Sequence, residues 1–495
     1  MMKTSKSFKP KTKITTKCLA REFIEMYYAG QKYLQPSILD SLSGIIEKVI
    51  LISNKHEGTT ELDDAEFIDF IKASSMSVDF LKSELKRNYL HIVEMFFTSS
   101  GYIKKKSIAR AYKLKESVLQ QLLEFISSTK DTSAEWVSDN NRVINKIEYG
   151  ILTTDENHKR IKSTICIDGL VPVNVDLLDV YINRILKIMT PQPVPRDERI
   201  DLEKNGFGVG IYDRGGREVR LQSLWKLYTL RRLSLKHKAF PQIYIETDNG
   251  RIVGIGYNLQ NTIGKRIRRI ALSNQNMYDY DMEASTPTIY VSLAKKYNVA
   301  VPAMEKYLQN KKKIREDLSE KYDTSVKDIK GALNALFYGV GTRTSGFSKY
   351  KTGLIEVFKS KSLTEEFLKD DFIKDIIAER KILFEEILSN ADMPRGKTLV
   401  NVLGKSVSLY ETVNGKRQKC RENSLISHIV FGYEALIIQT TFEVLKSLGI
   451  KVYLLVSDGF VADETSDITK IESAVRDKLK DDLPNLNLKY SMEKL

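Results

Sequence analysis

The stretch Lys451-Val-Tyr-Leu-Leu-Val-Ser-Asp458-Gly-Phe-Val constrains the fold more than any other in the chain. It has almost no polar face, so it reads as a buried strand, and it ends in a carboxylate at a tight Ser-Asp-Gly turn. A carboxylate at the end of a buried strand is costly unless it binds something positive. A second stretch, Met277-Tyr-Asp279-Tyr-Asp281-Met-Glu-Ala-Ser-Thr286-Pro287, alternates like a strand and runs through a turn into a helix. Asp279 and Asp281 share one strand face because side chains alternate. Two such strands side by side would bring Asp281 and Asp458 together, and their repulsion asks for a divalent cation. Carboxylates, water and substrate phosphates are what Mg²⁺ accepts, with Mn²⁺ as a substitute. Two such ions can clamp the attacking and leaving oxygens of a phosphoryl transfer.

A third stretch, Lys327-Asp-Ile-Lys330-Gly-Ala-Leu-Asn334-Ala-Leu-Phe-Tyr338-Gly339, reads as a helix closed by glycine. Positions i, i+4 and i+8 share a helix face, so Lys330, Asn334 and Tyr338 line up. A cation, an amide and an aromatic ring in that order could meet a triphosphate, a sugar and a base. Each stretch alone is a weak signal; their order together carries the reading.

Composition sets outer limits. The 495 residues carry 78 Lys and Arg against 64 Asp and Glu, a net charge of +14, with 42% hydrophobic residues. That is a globular composition with material for several domains. No apolar run approaches the roughly 20 residues of a membrane span, and the Lys-rich start lacks the apolar segment of a secretory signal. Cys18, Cys166 and Cys420 form no metal or disulfide pattern, so a reducing cytoplasm is expected. Charge is unevenly spread: residues 211–270 hold 13 basic and 4 acidic groups, net +9. A nucleic-acid contact is expected there first, since phosphate neutralisation dominates such affinity.

The pattern along the chain is α+β. Residues 1–190 read as a mostly helical N-terminal domain. A proline-rich linker follows at 191–197, including Pro191 to Pro195, and residues 198–495 form the remainder. Within the first part, Ser107 to Leu119 has the packing positions of a helix-turn-helix without its turn glycine, and a plain helical hairpin is the better reading. Long helices are expected near 287–296, 324–338, 363–389 and 424–447, and a helix and last strand after Ile468. His428 and Glu434 lie on the helix before the Asp458 strand, where the His reads as a core or surface residue and Glu434 is left open. Glu283 reads as a solvated side chain.

Four ordered motifs resemble the family A DNA polymerases and the phage-type single-subunit RNA polymerases. Thr247-Asp-Asn-Gly250-Arg251-Ile, Asn258-Leu-Gln260-Asn261 and Lys265-Arg266-Ile-Arg268 resemble the stretch before that family's first catalytic Asp. The Asp281 strand resembles its motif A, Lys330 to Gly339 its motif B, and Ser457-Asp458 its motif C. The resemblance covers about residues 240–470 and implies a right-hand fold, a palm with an antiparallel sheet and helical fingers. It implies that Asp281 and Asp458 bind two Mg²⁺ ions, that Lys330 meets the triphosphate, and that Tyr338 lies under the sugar or the templating pair. Arg251, Gln260 and Asn261 would touch the primer–template minor groove, and Arg266, Arg268 and Arg269 would lie along phosphates. Partners would be a DNA or RNA template, a primer or nascent strand, and nucleoside triphosphates.

The sequence departs from the family in places that matter. Thr286 stands where the DNA polymerases keep a sugar-excluding Glu, Asn334 where an aromatic is expected, and Val326 where an Arg is expected. Ser457 and Gly459 flank the second Asp in place of His and Glu. The small residue at the sugar position leans the reading to ribonucleotides, as in an RNA polymerase or primase-like enzyme. Three alternatives stay open: a DNA polymerase without proofreading, an inactive polymerase-like replication protein that only binds nucleic acid, and a template-independent or protein-primed polymerase. A small polymerase of this kind suits a phage or plasmid.

Overall fold

A computed structural model describes residues 17–31, 34, 36–51, 75–77, 89–100, 109–134, 150–154, 160–162, 169–190, 197, 216–254, 257–261, 263–273, 276–339, 353–358, 360–413, 416–456, 458–465 and 467–495. The expected linker from Pro191 to Pro195 and Ser457 lie outside the described residues.

Strand alternation and burial build a four-stranded antiparallel sheet. Its order is Val452–Val456, Gly459–Asp463, Met277–Met282 and Tyr490–Lys494. On one face Tyr280 stacks on Phe460 with ring centroids 4.9 Å apart, and Phe460 meets Tyr490 edge-on at 5.4 Å. Cross-strand aromatic pairs of this kind pin the register. Helix Glu422–Ser447 covers that face, where the Thr441 and Tyr490 hydroxyls meet at 2.9 Å. Helix Ile468–Leu479 adds Glu472, which accepts the Tyr490 backbone N–H at 2.7 Å. Helix Glu422–Ser447 is long and apolar enough by composition to cross a membrane, yet most of it is buried inside the protein, as a core helix is.

A second sheet runs in the order Arg160–Lys162, Gly150–Thr154, Ile243–Glu246 and Ile252–Gly254, with the middle pair parallel. Leu170–Pro172 pairs antiparallel with Ala239–Pro241. Backbone ladders thus join the two sides of the proline-rich stretch, and one hydrophobic core runs from Leu19 to Tyr490. The first 190 residues carry helices Lys17–Tyr28, Pro36–Leu51, Glu116–Thr129 and Val175–Met189, together with strands the helical reading did not expect. Ala109–Leu114, inside the helix-turn-helix candidate, is the middle strand of a three-stranded sheet with Ser75–Ser77 and Phe97–Ser100. Pairing on both edges decides the conformation there against local propensity.

Among the described residues of the basic stretch 211–270, several arginines lie inside the fold. Arg220, Arg231, Arg232 and Arg268 are buried. Arg231 pairs with Asp131 at 2.7 Å and Asp179 at 3.3 Å, and Arg232 with Glu22 at 2.7 Å. Part of the +9 therefore ties helix Gly216–Ser234 to earlier segments, because a buried guanidinium is tolerated only with a partner.

After the central strand come helices Ser285–Lys296, Pro302–Lys321 and Val326–Phe337, then Lys361–Lys369 and Asp371–Ser389. The expected helix at 363–389 is broken at Asp370, whose carboxylate accepts the Ile373 N–H at 3.3 Å and so caps the second piece. Buried Glu379 accepts from the Ala303 and Met304 backbone N–H groups at 2.6 and 3.0 Å, docking the N-terminus of helix Pro302–Lys321 on helix Asp371–Ser389.

Candidate active site

The site forms where the Met277–Met282 strand meets the turn between Val452–Val456 and Gly459–Asp463. Asp281 is directly opposite Gly459, and the Met282 N–H donates to the Asp458 carbonyl at 3.2 Å. A Cβ at Gly459 would run into the Tyr280 carbonyl oxygen, so only glycine lets the strands close beside the two carboxylates. Beyond Asp281 the chain turns sharply: Ala284 is left-handed, with φ 52° and ψ 52°, and helix Ser285–Lys296 starts at the next residue. A left-handed alanine costs about 1–2 kcal/mol. The turn sets the Ser285 hydroxyl 3.3 Å from Asp458 Oδ2.

Asp281 remains exposed on this otherwise buried strand. Its carboxyl titrates above the usual Asp range, first through partial desolvation, then through repulsion by Asp458 and Asp279. Lys265 and Lys330 pull in the opposite direction. Asp458 and Lys330 thus both act on Asp281, although the three come from separate segments. Lys330, Asn334 and Tyr338 all lie exposed along helix Val326–Phe337 and its C-cap. Gly339 follows with φ 77°.

A second cluster borders the carboxylates. Arg251, just before strand Ile252–Gly254, lies 2.9 Å from Glu434 Oε1 and has its guanidinium carbon over the Phe431 ring, 4.5 Å from the centroid. Phe431 in turn packs against Tyr338 at 5.9 Å. The contact between Arg251 and Glu434 is an ion pair without an aligned hydrogen bond to Oε1. Glu434 is buried, and desolvation drives its pKa up to about 7; Asp458 adds to the rise and Arg251 opposes it. Burial raises the Tyr338 hydroxyl above the ordinary phenol range, opposed chiefly by its hydrogen bond with buried Thr286.

Several residues expected at the nucleic acid lie elsewhere. Gln260 is buried: its side chain accepts the Gly254 N–H at 2.5 Å and donates to the Ile252 carbonyl at 3.1 Å, completing the edge of strand Ile252–Gly254. Arg268 is also interior, reaching the Leu259 and Gln260 carbonyls and Asp279, each at 3.4 Å. Both side chains are engaged inside the fold, whereas a groove contact was expected for Gln260 and a phosphate contact for Arg268. Asn261 and Arg266 are exposed, and Arg269, partly exposed, is paired with Glu493. His428 is buried with Nε2 2.9 Å from the Lys405 carbonyl, a satisfied core histidine. Glu283 pairs with Lys311 of helix Pro302–Lys321.

No protein-family model and no curated protein matches the chain. Among solved structures it is similar to the POL domain of Pol1 from M. smegmatis, solved in complex with DNA primer-template and dNTP, with a TM-score of 0.42. The identity is 13%, over 66% of this chain and 67% of that chain. The functional reading therefore rests on the site.

Glu434 and Phe431 are the site residues that sequence reasoning left unassigned. A signal for Glu434 was present: it is the only charged residue between Glu422 and Glu443 on a helix that is otherwise apolar and weakly polar. A lone carboxylate in such a setting needs a partner.

Proposed function

We propose that this protein is a template-directed nucleic-acid polymerase, a nucleotidyltransferase that joins a nucleoside triphosphate to a strand's 3′-hydroxyl and releases pyrophosphate. The observation that carries the reading is the meeting of Asp281 and Asp458 at one end of the antiparallel sheet, with the Lys330 charge acting on the same carboxylate. On this reading the sheet is the palm of a right hand, and the helices between 302 and 389 are its fingers.

Among the described residues, no group of three or more His, Cys, Asp or Glu side chains could hold a metal ion. Two carboxylates without nitrogen or sulfur donors suit Mg²⁺, which keeps water and substrate phosphate as its other ligands. The repulsion that raises Asp281 is what a cation would relieve, so Asp281 and Asp458 would hold it. When bound, Mg²⁺ supplies neutralisation of the phosphate charge that builds up during transfer. Lys330 adds a positive charge for the triphosphate, Asn334 an amide for the sugar, and Tyr338 a ring for the base. The new bond forms between the 3′-oxygen and the α-phosphorus, the bond from that phosphorus to the pyrophosphate oxygen breaks, and the hydroxyl proton passes to water. Positioning and electrostatics carry such a reaction.

Thr286 supports ribonucleotide use. It is small, buried and hydrogen-bonded to Tyr338, so no carboxylate stands there against a 2′-hydroxyl. Primer extension and unprimed synthesis, with NTPs or dNTPs on DNA and RNA templates, test the whole reading. Product is expected from wild type with Mg²⁺ and NTPs, and loss of several orders of magnitude from Asp458→Ala. Equal behaviour of the two proteins in every combination would overturn it.

A further inference from the structure

We propose that Glu434 is a positioning residue, one that fixes Arg251 over the Phe431 ring beside Tyr338 so that its guanidinium is already in place when a primer strand arrives. This rests on the polymerase reading and deepens it.

The geometry comes from three segments. Arg251 leads into strand Ile252–Gly254, Phe431 and Glu434 are neighbours on one turn of helix Glu422–Ser447, and Tyr338 closes helix Val326–Phe337. A free arginine side chain has several rotatable bonds and loses their entropy on binding. Here two contacts restrict that freedom in advance: the carboxylate at 2.9 Å and the Phe431 ring, whose centroid is 4.5 Å from the guanidinium carbon. Arg251 nevertheless keeps 25% of its side-chain surface exposed while Glu434 keeps 2%, so the pair presents a cation to the site and buries its carboxyl, which carries its charge above about pH 7. A guanidinium has five N–H donors, and one carboxylate leaves others available for acceptors on a base edge or sugar. A buried carboxylate without its arginine would be strongly unfavourable, so the charge on Glu434 depends on Arg251.

Pre-organisation of this kind improves binding and alignment of the strand that Arg251 meets, and misplacement of such a group costs about 10- to 100-fold. The test uses the full chain, a fluorescently labelled primer–template to measure affinity, and extension assays to separate KM for primer–template from kcat. Glu434→Gln keeps the shape and removes the charge; Phe431→Leu removes the platform and leaves the carboxylate, which guards against a folding failure of the first variant. Each is expected to raise KM for primer–template about tenfold or more, with a smaller change in kcat. KM for nucleotide should barely change. In an Arg251→Ala background, adding Glu434→Gln should cause no further loss of affinity and should restore thermal stability. Wild-type affinity in both single variants, or a full additional loss in the double variant, overturns the positioning role while leaving the polymerase reading intact. Failure of the wild type to bind and extend any primer–template overturns both.

Discussion

The Met282 N–H donates to the carbonyl of Asp458 at 3.2 Å, one residue beyond Asp281. That single bond, extending the ladder that pairs Asp281 with Gly459, fixes two acidic segments against each other at the sheet's end. The backbone holds them together although the side chains repel.

Removing one of the two carboxylates should trade function for stability. Asp458→Asn relieves the repulsion on Asp281, so the carboxyl of Asp281 should titrate closer to the ordinary Asp range. We expect activity to fall by about three orders of magnitude or more, with a melting temperature equal to or above wild type. Thermal melts alongside extension assays check this; a large loss of stability would mean the carboxylates are structural.

Gly459→Ala should be destabilising by roughly 1–3 kcal/mol, because its Cβ meets the Tyr280 carbonyl inside the strand pair. Activity should suffer as well, since the same pairing sets Asp281 beside Asp458. Urea unfolding of the purified variant measures the first effect directly.

Glu434 gives stability a pH dependence of known sign. Its folded pKa, about 7, lies above the model-compound value of 4.5, so the native state holds the proton more tightly. The resulting contribution is fully present below about pH 4.5 and is lost as pH rises through about 7. A shift of that size corresponds to about 3 kcal/mol. Glu434→Gln should flatten the stability profile between pH 4.5 and 7, and an unchanged slope in the variant would assign the dependence to another group.

Two neighbouring arginines should behave in opposite ways. Arg268→Ala leaves buried Asp279 only the longer pairing with Lys265 at 3.8 Å and should cost up to about 3–5 kcal/mol of stability. Exposed Arg266→Ala should leave stability nearly unchanged and lower the salt dependence of nucleic-acid binding by about one unit of slope. Titrations of labelled nucleic acid at several salt concentrations, with unfolding curves, separate the two.

Much of the local structure around the candidate site was legible because it depends on local periodicity. Alternation in Met277–Met282 marks Asp281 as a strand-end carboxylate, and the four-residue spacing from Lys330 to Tyr338 holds on one exposed helix face. The N–L–Q–N stretch was legible as a motif, but the part Gln260 plays inside the fold was not. Gln260 serves the edge of strand Ile252–Gly254, and only the position of that strand reveals it. The inward arginines of the basic stretch were not legible for the same reason: net charge records how many arginines are present, while Asp131, Asp179, Glu22 and Asp279 decide which of them face inward.

By itself, the sequence determined which segments become strands and helices around the acidic turn and which side chains share a face, because those follow from repeats of two and 3.6 residues along a single segment. Tertiary structure alone decided that Arg251 lies on Phe431 against Glu434, that Arg268 is internal, and that Asp281 and Asp458 share one end of the sheet. Desolvation and charge pairing depend on what packs across from a residue, and that partner can come from anywhere in the chain.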